Sequence, residues 1–260
     1  MEIGKYREEL KIHNHYTNYK GRLFIKTLCD LFNDVAEGQT ELLGVDVDTL
    51  NKSGLTWMLH RLHILIYKMP QKEENVVVET WPSGIDRLFA LRDYRLLRND
   101  GEELVRATSE WMTVDLNRRR PVRPLARVVE MSTSHGIEKL PIEHLLREKE
   151  VPGDMEDCRY FTATFDNIDF NGHVTQASYM RWITNSLPFG FLKNHILTEV
   201  EVVYEHEIMP DSLIVSYYKM QPEGNRVVVY HQIRNEEGSL MHCVAETVWM
   251  AHADTRTPQS

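Results

Sequence analysis

The chain has 260 residues, 42% hydrophobic and 27% charged, with 30 Lys and Arg against 39 Asp and Glu for a net charge of −9. That length suits one large domain or two of about 125 residues, and the acidic balance speaks against a general nucleic-acid binder, which needs a basic footprint. The charged start MEIGKYREELK lacks an apolar secretory segment, no run of about 18 apolar residues predicts a membrane span, and Cys29, Cys158 and Cys243 are too scattered for a disulfide framework or a structural zinc site.

In chain order, the first strong signal is a helix from Leu23 to about Leu43. Its residues Leu28, Leu31, Phe32 and Val35 fall at i, i+3, i+4 and i+7, which is one helix face. Strand-like runs follow: LHILIYK, VVVETWP, LFALRDYRLLRND and ELVRATSEWMTVD. They are rich in Val, Ile, Tyr and Trp and are divided by turn signals such as NDG. From about Leu116 to Asp157 the periodicity fades, Pro121, Pro124 and Pro152 appear, and a linker is predicted, with a short helix around IEHLLREKE.

The stretch NIDFNGHVTQASYMRWI (167–183) comes next. Asp169, Asn171 and His173 alternate with Phe170 and Gly172 just ahead of a second helical pattern. In an extended segment that spacing puts acid, amide and imidazole on one side. A helix start also presents free backbone N–H groups, suited to a reaction that develops negative charge. Polar residues ahead of a helix serve equally as caps and turn formers. Four more strand-like runs follow: EVEVVYEHEI, SLIVSYYKMQ, NRVVVYHQIRNE and SLMHCVAETVWMAHA.

The chain therefore reads as one unit twice. A shift of 151 positions sets Asn18 on Asp169, Lys20 on Asn171, Gly21 on Gly172 and Arg22 on His173. Each unit is one strand, one long helix and four antiparallel strands. A helix apolar on most sides needs a sheet curled around it, so the expected architecture is α+β, a tandem or double hotdog fold. The expected boundaries are 1–125 for the N-terminal unit, 126–155 for the linker and 156–255 for the C-terminal unit.

At this point the chain resembles the acyl-(acyl carrier protein) thioesterase family, of the bacterial double-hotdog type. The resemblance rests on Asp169, Asn171, Gly172, His173 and Val174, on TWMLHRLHILIYKMP (56–70), on RATSEWMTVDLNRRRP (106–121) and on VVYEHEIMPDS (202–212), in that order. It implies a cytoplasmic hydrolase without a cofactor, releasing free fatty acid from an acyl chain carried on the 4'-phosphopantetheine of acyl carrier protein. It also implies catalytic roles for Asp169, Asn171, His173 and the later acid Glu207. Some members carry a cysteine after that acid, and here Ile208 stands there; Thr175 and Gln176 replace the two asparagines that often follow His-Val. An acyl-CoA thioesterase, an enoyl-thioester hydratase and a non-catalytic acyl-binding module are the alternatives.

Water activation by Glu207 requires burial beside apolar neighbours to raise its pKa. Glu205, two residues away on the same predicted strand, faces the same side and is the rival base. Asn171 suits orientation of water or of the carbonyl, Asp169 suits positioning, and the role of His173 stays open. Backbone N–H groups of Gly172 to Val174 are expected to form an oxyanion hole, Gly172 to admit the substrate closely, and Val174 and Thr175 to border it. Lys20 and Arg22 cannot serve as bases near neutral pH without large shifts, so the first unit is expected to supply an acyl pocket, with Phe32, Trp57 and Met58 setting its depth. The basic run LNRRRPVRPLAR, with Arg118, Arg119 and Arg120, is expected to steer the acidic carrier protein. No metal site is expected, because no Cys or acidic cluster completes the pairs His13/His15 and His60/His63 in sequence. Neither nucleic acid nor membrane insertion is expected, and exposed sheet edges permit a homodimer.

Overall fold

The computed structural model describes residues 4–133, 138–144, 155, 157–169 and 172–252. The first repeat opens with β1 (Tyr6–Lys11), makes a 3-10 turn at Asn14–Tyr16 and enters α1 (Ile25–Leu43). Leu28, Leu31, Phe32 and Val35 are all buried, as one face of a helix should be. Gly44 ends the helix at φ 67°, a left-handed conformation that costs glycine little. After α2 (Val47–Lys52) come β2 (Leu55–Ile66), β3 (Asn75–Asp86), β4 (Phe89–Arg98) and β5 (Glu103–Asp115). A short β6 (Arg120–Val122) folds back on β5, and α3 (Ala126–Ser132) follows.

The second repeat has β7 (Asp157–Thr162), a 3-10 turn at Phe165–Asn167, α4 (Gln176–Ser186), α5 (Phe189–Asn194), β8 (His195–Tyr204), β9 (Leu213–Glu223), β10 (Arg226–Asn235) and β11 (Met241–Ala251). The expected long second helix is broken in two. Leu187 is extended at φ −73°, ψ 149°, because the following Pro188 disfavours helical backbone at the residue before it.

All these strands belong to one sheet, in the order β1-β3-β4-β5-β2-β8-β11-β10-β9-β7, with β6 beside β5. The seam is the antiparallel pair β2 and β8, from Arg61 opposite Val203 to Leu65 opposite Glu199. Outward from the seam each half presents its strands in the same order, so the duplication read in the sequence is a duplication of topology. α1 and α4 lie against each other, joined by a hydrogen bond from the Gln176 amide to Asn33 Oδ1. The fold is a double hotdog.

The chain between the repeats is not only a connector. Residues 138–144 make contacts on the sheet: Trp81 Nε1 donates to the Glu138 carbonyl at 2.7 Å, and Asp93 Oδ2 accepts from the Leu140 N–H at 2.7 Å. α3 buries Val128 and Met131 in a small cluster with Val45 and Ala90. Most of the segment expected to form a helix, 145–150, lies outside the described residues, and Ile142 to His144 are not helical. Among the described residues, no helix is long and apolar enough to cross a membrane.

Candidate active site

The loop ahead of α4 is a tight turn, not the extended segment that the alternation suggested. Ile168 and Val174 form an isolated bridge, the Asp169 N–H donates to the His173 carbonyl at 2.8 Å, and the Gly172 N–H donates back to the Asp169 carbonyl at 3.0 Å. Gly172 has φ +81°, while a Cβ added there meets nothing within 4 Å. Turn geometry therefore explains this glycine, and crowding by the protein does not.

The expected oxyanion donors are committed elsewhere. The His173 N–H donates to Asp169 Oδ1 at 3.2 Å, the Val174 N–H to the Ile208 carbonyl at 3.2 Å, and the Thr175 N–H to the Asn167 carbonyl at 2.8 Å. With Gly172 also bonded, all four amides from 172 to 175 have protein acceptors. Thr175 caps α4 by accepting the Ser178 N–H on its side chain.

Glu207 stands across from this turn. β8 ends at Tyr204, and the Glu205 and His206 N–H groups both donate to the His242 carbonyl at 2.9 and 3.3 Å. One carbonyl taking two successive amides breaks the ladder. Glu205 and Glu207 are thus loop residues, and strand alternation does not relate them. Glu207 Oε2 lies 3.4 Å from His173 Nε2 and 3.6 Å from an Arg119 guanidinium nitrogen. Its side chain is 35% exposed, so the burial expected of a base raised by apolar surroundings is not met. Tyr179, buried behind the loop, donates its hydroxyl to the His206 carbonyl at 3.4 Å and fixes the approach of this segment.

A cleft of about 1990 Å³ opens beside this pair. From the second half it is bordered by Asp169, His173, Val174, Thr175 and Glu205 to Glu207, and from the first half by Asn33, Trp57, Met58, Arg92 and Arg119. Trp57 and Met58 are neighbours in β2 and so face opposite sides of the sheet; Trp57 Nε1 donates to the Val45 carbonyl at 2.8 Å, on the α1 side. Phe32 is not a lining residue. It is a core side chain stacked on Tyr94, with ring centroids 4.7 Å apart. Arg92 escaped the sequence reading: a buried guanidinium bordering the cleft, donating to Gln39 Oε1 at 2.6 Å and to Thr80 Oγ1 at 3.0 Å. One arginine among the three of its strand run, Arg92, Arg95 and Arg98, gives no signal of this in sequence. Burial lowers its pKa. Asn171 lies outside the described residues.

Of the basic run, Arg118 and Arg119 are exposed on the β5–β6 turn and Arg120 is exposed at the start of β6, rather than on a free linker. Arg119 adopts φ +50° at the turn and points to Glu207, while Arg118 Nε lies 4.0 Å from Asp115 Oδ2. His60 stacks on Phe89 at 4.9 Å, and His13 and His15 stack on each other at 5.8 Å.

The chain matches the family model of the acyl-ACP thioesterase N-terminal domain over residues 4–131 and that of the C-terminal domain over residues 149–251. It is 27% identical over 237 residues to an oleoyl-acyl carrier protein thioesterase, chloroplastic, of Arabidopsis thaliana, covering 83% of this chain and 63% of that protein. Against an acyl-[acyl-carrier-protein] hydrolase of Cuphea viscosissima the shares are 83% and 54%, so the chain spans little more than half the length of these curated relatives. A crystal structure of an acyl-ACP thioesterase from Bacteroides thetaiotaomicron superposes with a TM-score of 0.82 at 25% identity, covering 95% of this chain and 98% of that one. A Lactobacillus plantarum structure, provisionally assigned as an oleoyl thioesterase, gives 0.88 at 25% identity over 97% and 98% of the two chains. By both halves of its sequence and by its fold, the chain belongs to the acyl-ACP thioesterase family.

Proposed function

We propose that this protein hydrolyses the thioester of acyl-acyl carrier protein, releasing free fatty acid and the carrier's phosphopantetheine thiol and so ending chain elongation. The observation that carries the reading is the approach of His173 Nε2 to Glu207 Oε2, 3.4 Å apart, beside a cleft bordered by both halves. Glu207 removes a proton from water, and the resulting hydroxide attacks the thioester carbonyl. His173 lies close enough to steady that carboxylate and to pass a proton to the departing thiolate. Asp169 holds the turn through the His173 backbone, and Asn171 supplies an amide that can donate and accept. The amides of 172 to 175 are occupied, so the oxyanion takes a donor from the first residue of α4, Gln176, which borders the cleft and whose N–H a helix start leaves without an intrahelical acceptor.

The acyl chain extends past Val174 toward Trp57, on the α1 side of the first half, and Arg119 at the cleft border, with Arg118 and Arg120 beside it in the chain, receives the acidic carrier. The N-terminal unit, 1–125, is then the binding half and the C-terminal unit, 156–255, the catalytic half. The test is thiol release from acyl-carrier-protein and acyl-CoA substrates of several chain lengths, with Glu207→Ala beside wild type. Hydrolysis of the carrier-protein set that falls about 10²- to 10⁴-fold in the variant is expected. No thiol release from any substrate would overturn the reading.

A further inference from the structure

On the face of the sheet bearing residues 138–144, at the seam between the halves, lies a second cluster of chemical groups remote in sequence from the turn. His63 of β2 sits directly opposite Glu201 of β8, and Glu201 sits directly opposite Glu246 of β11. Strand alternation puts Arg61 and His63 on the same face. His144 reaches the same spot from the chain between the repeats. His63 and Glu201 are fully buried.

The hydrogen bonds define the tautomer of His63. Its Nε2 lies 2.8 Å from Glu199 Oε1, and a carboxylate only accepts, so the ring proton is on Nε2. That leaves Nδ1 with a free lone pair. This buried nitrogen has no hydrogen-bond partner, and the nearest acid oxygen, Glu201 Oε1, is 4.0 Å away. Glu201 Oε1 in turn lies 2.7 Å from His144 Nδ1 and 2.7 Å from an Arg61 nitrogen. His144 Nε2 lies 3.3 Å from Glu110 Oε1.

We propose that His63, His144 and Glu201 form a binding site for a divalent transition metal, of which zinc is the best match. Two imidazole nitrogens and one carboxylate oxygen, all within 4.8 Å of one another, are a zinc donor set. Each histidine already holds a carboxylate on its other nitrogen, Glu199 for His63 and Glu110 for His144, the outer-shell arrangement that orients metal-binding imidazoles. Tetrahedral ligands stand about 3.3 Å apart at ordinary zinc distances, so His63 Nδ1 and Glu201 Oε1 need to close by less than 1 Å from their 4.0 Å separation. Water fills the fourth position.

Charge favours the same conclusion. Glu110 and Glu201 both pair with the Arg61 guanidinium, at 3.6 and 2.7 Å, Glu199 adds a third carboxylate on His63, and Glu201 faces a further one, Glu246, across the strand pair. An ionised carboxylate has about four lone-pair directions, so the Arg61 N–H and a cation can share Glu201. Binding would displace the His144 Nδ1 proton to solvent. The ligands come from the first half, the second half and the chain between them, so the metal would act as a clasp across the seam.

The experiment is dialysis of the intact protein against Zn²⁺ or Co²⁺, followed by metal analysis, the visible spectrum of the Co²⁺ form and thermal unfolding with and without chelator. The expected result is one metal per chain, a tetrahedral Co²⁺ spectrum and a higher unfolding midpoint. His144→Ala, at a half-exposed position, should abolish all three. Glu199→Gln should weaken binding about 10- to 100-fold, and a His13→Ala/His15→Ala variant should bind like wild type. No stoichiometric binding by wild type overturns the site, as does unchanged binding in His144→Ala. Should His144→Ala fail to fold, undiminished affinity in Glu199→Gln overturns it equally.

Discussion

The two turns that precede the helices share a backbone hydrogen-bond pattern and carry opposite chemistry. In the first, the Asn18 N–H donates to the Arg22 carbonyl and the Gly21 N–H to the Asn18 carbonyl, both at 2.8 Å; in the second, Asp169, His173 and Gly172 repeat the pattern. Leu23 donates to Pro70 where Val174 donates to Ile208. That correspondence sets Met69, a core residue, on Glu207. Arg22 takes the place of His173 and lies 3.1 Å from His252 Nε2. The turn is therefore a property of the fold, present wherever this strand, turn and helix are built. The imidazole and the acid proposed for catalysis, His173 in the turn and Glu207 in the facing loop, have Arg22 and Met69 as their counterparts in the first half.

The comparison breaks most sharply if the imidazole is removed. His173→Gln should lower kcat/KM for thioester hydrolysis about 10²- to 10⁴-fold, the usual worth of a positioned acid or base. Arg22→Gln, at the matching position, should change it by less than a factor of three. Equal losses in both variants would mean that the halves share the chemistry.

The glycines sharpen it next. Gly21 and Gly172 have φ +72° and +81°, so alanine at either should cost about 1–2 kcal/mol in a denaturant titration. Only Gly172→Ala should also lower activity, since only that turn bears His173.

A third difference lies in the core. By sheet register His231 occupies in β10 the place of Tyr94 in β4, each flanked by an alanine of the next strand. Burial lowers the pKa of His231 to about 3, whereas burial raises that of Tyr94. The unfolded histidine binds its proton near pH 6.5, so His231 contributes full stability above that pH and loses it as pH falls toward about 3. Unfolding free energy of wild type should drop through this window, and His231→Gln should flatten the slope. An unchanged slope would assign the acid sensitivity elsewhere.

The smallest effect concerns the arginines. Reversing charge at Arg118 and Arg120 should raise KM for the carrier-protein substrate a few-fold and leave a small acyl thioester unaffected, with the difference fading at high salt. Arg119→Ala, beside Glu207, should affect both substrates. A uniform loss from all three would remove the docking role.

The sequence by itself determined the duplication, the hotdog architecture and the family. These rest on hydrophobic period, turn residues and motif order, which are local and repeated twice in 260 residues. It also singled out His173 and Glu207, which lie 34 positions apart in the chain and 3.4 Å apart in space. Hydrogen-bond partners were not legible, because they depend on how the chain turns back on itself. The amides of 172 to 174 looked free, but Asp169 and the segment at Ile208 accept them. Phe32 looked like a pocket residue, but which side of α1 meets Tyr94 is decided only by packing. The same holds for His63. Its sequence neighbours offered no acid to join it, and only the pairing of β2 with β8 brings Glu201 opposite, with His144 laid over both. Local pattern specifies the elements; the juxtaposition of elements, which no single segment encodes, specifies the sites.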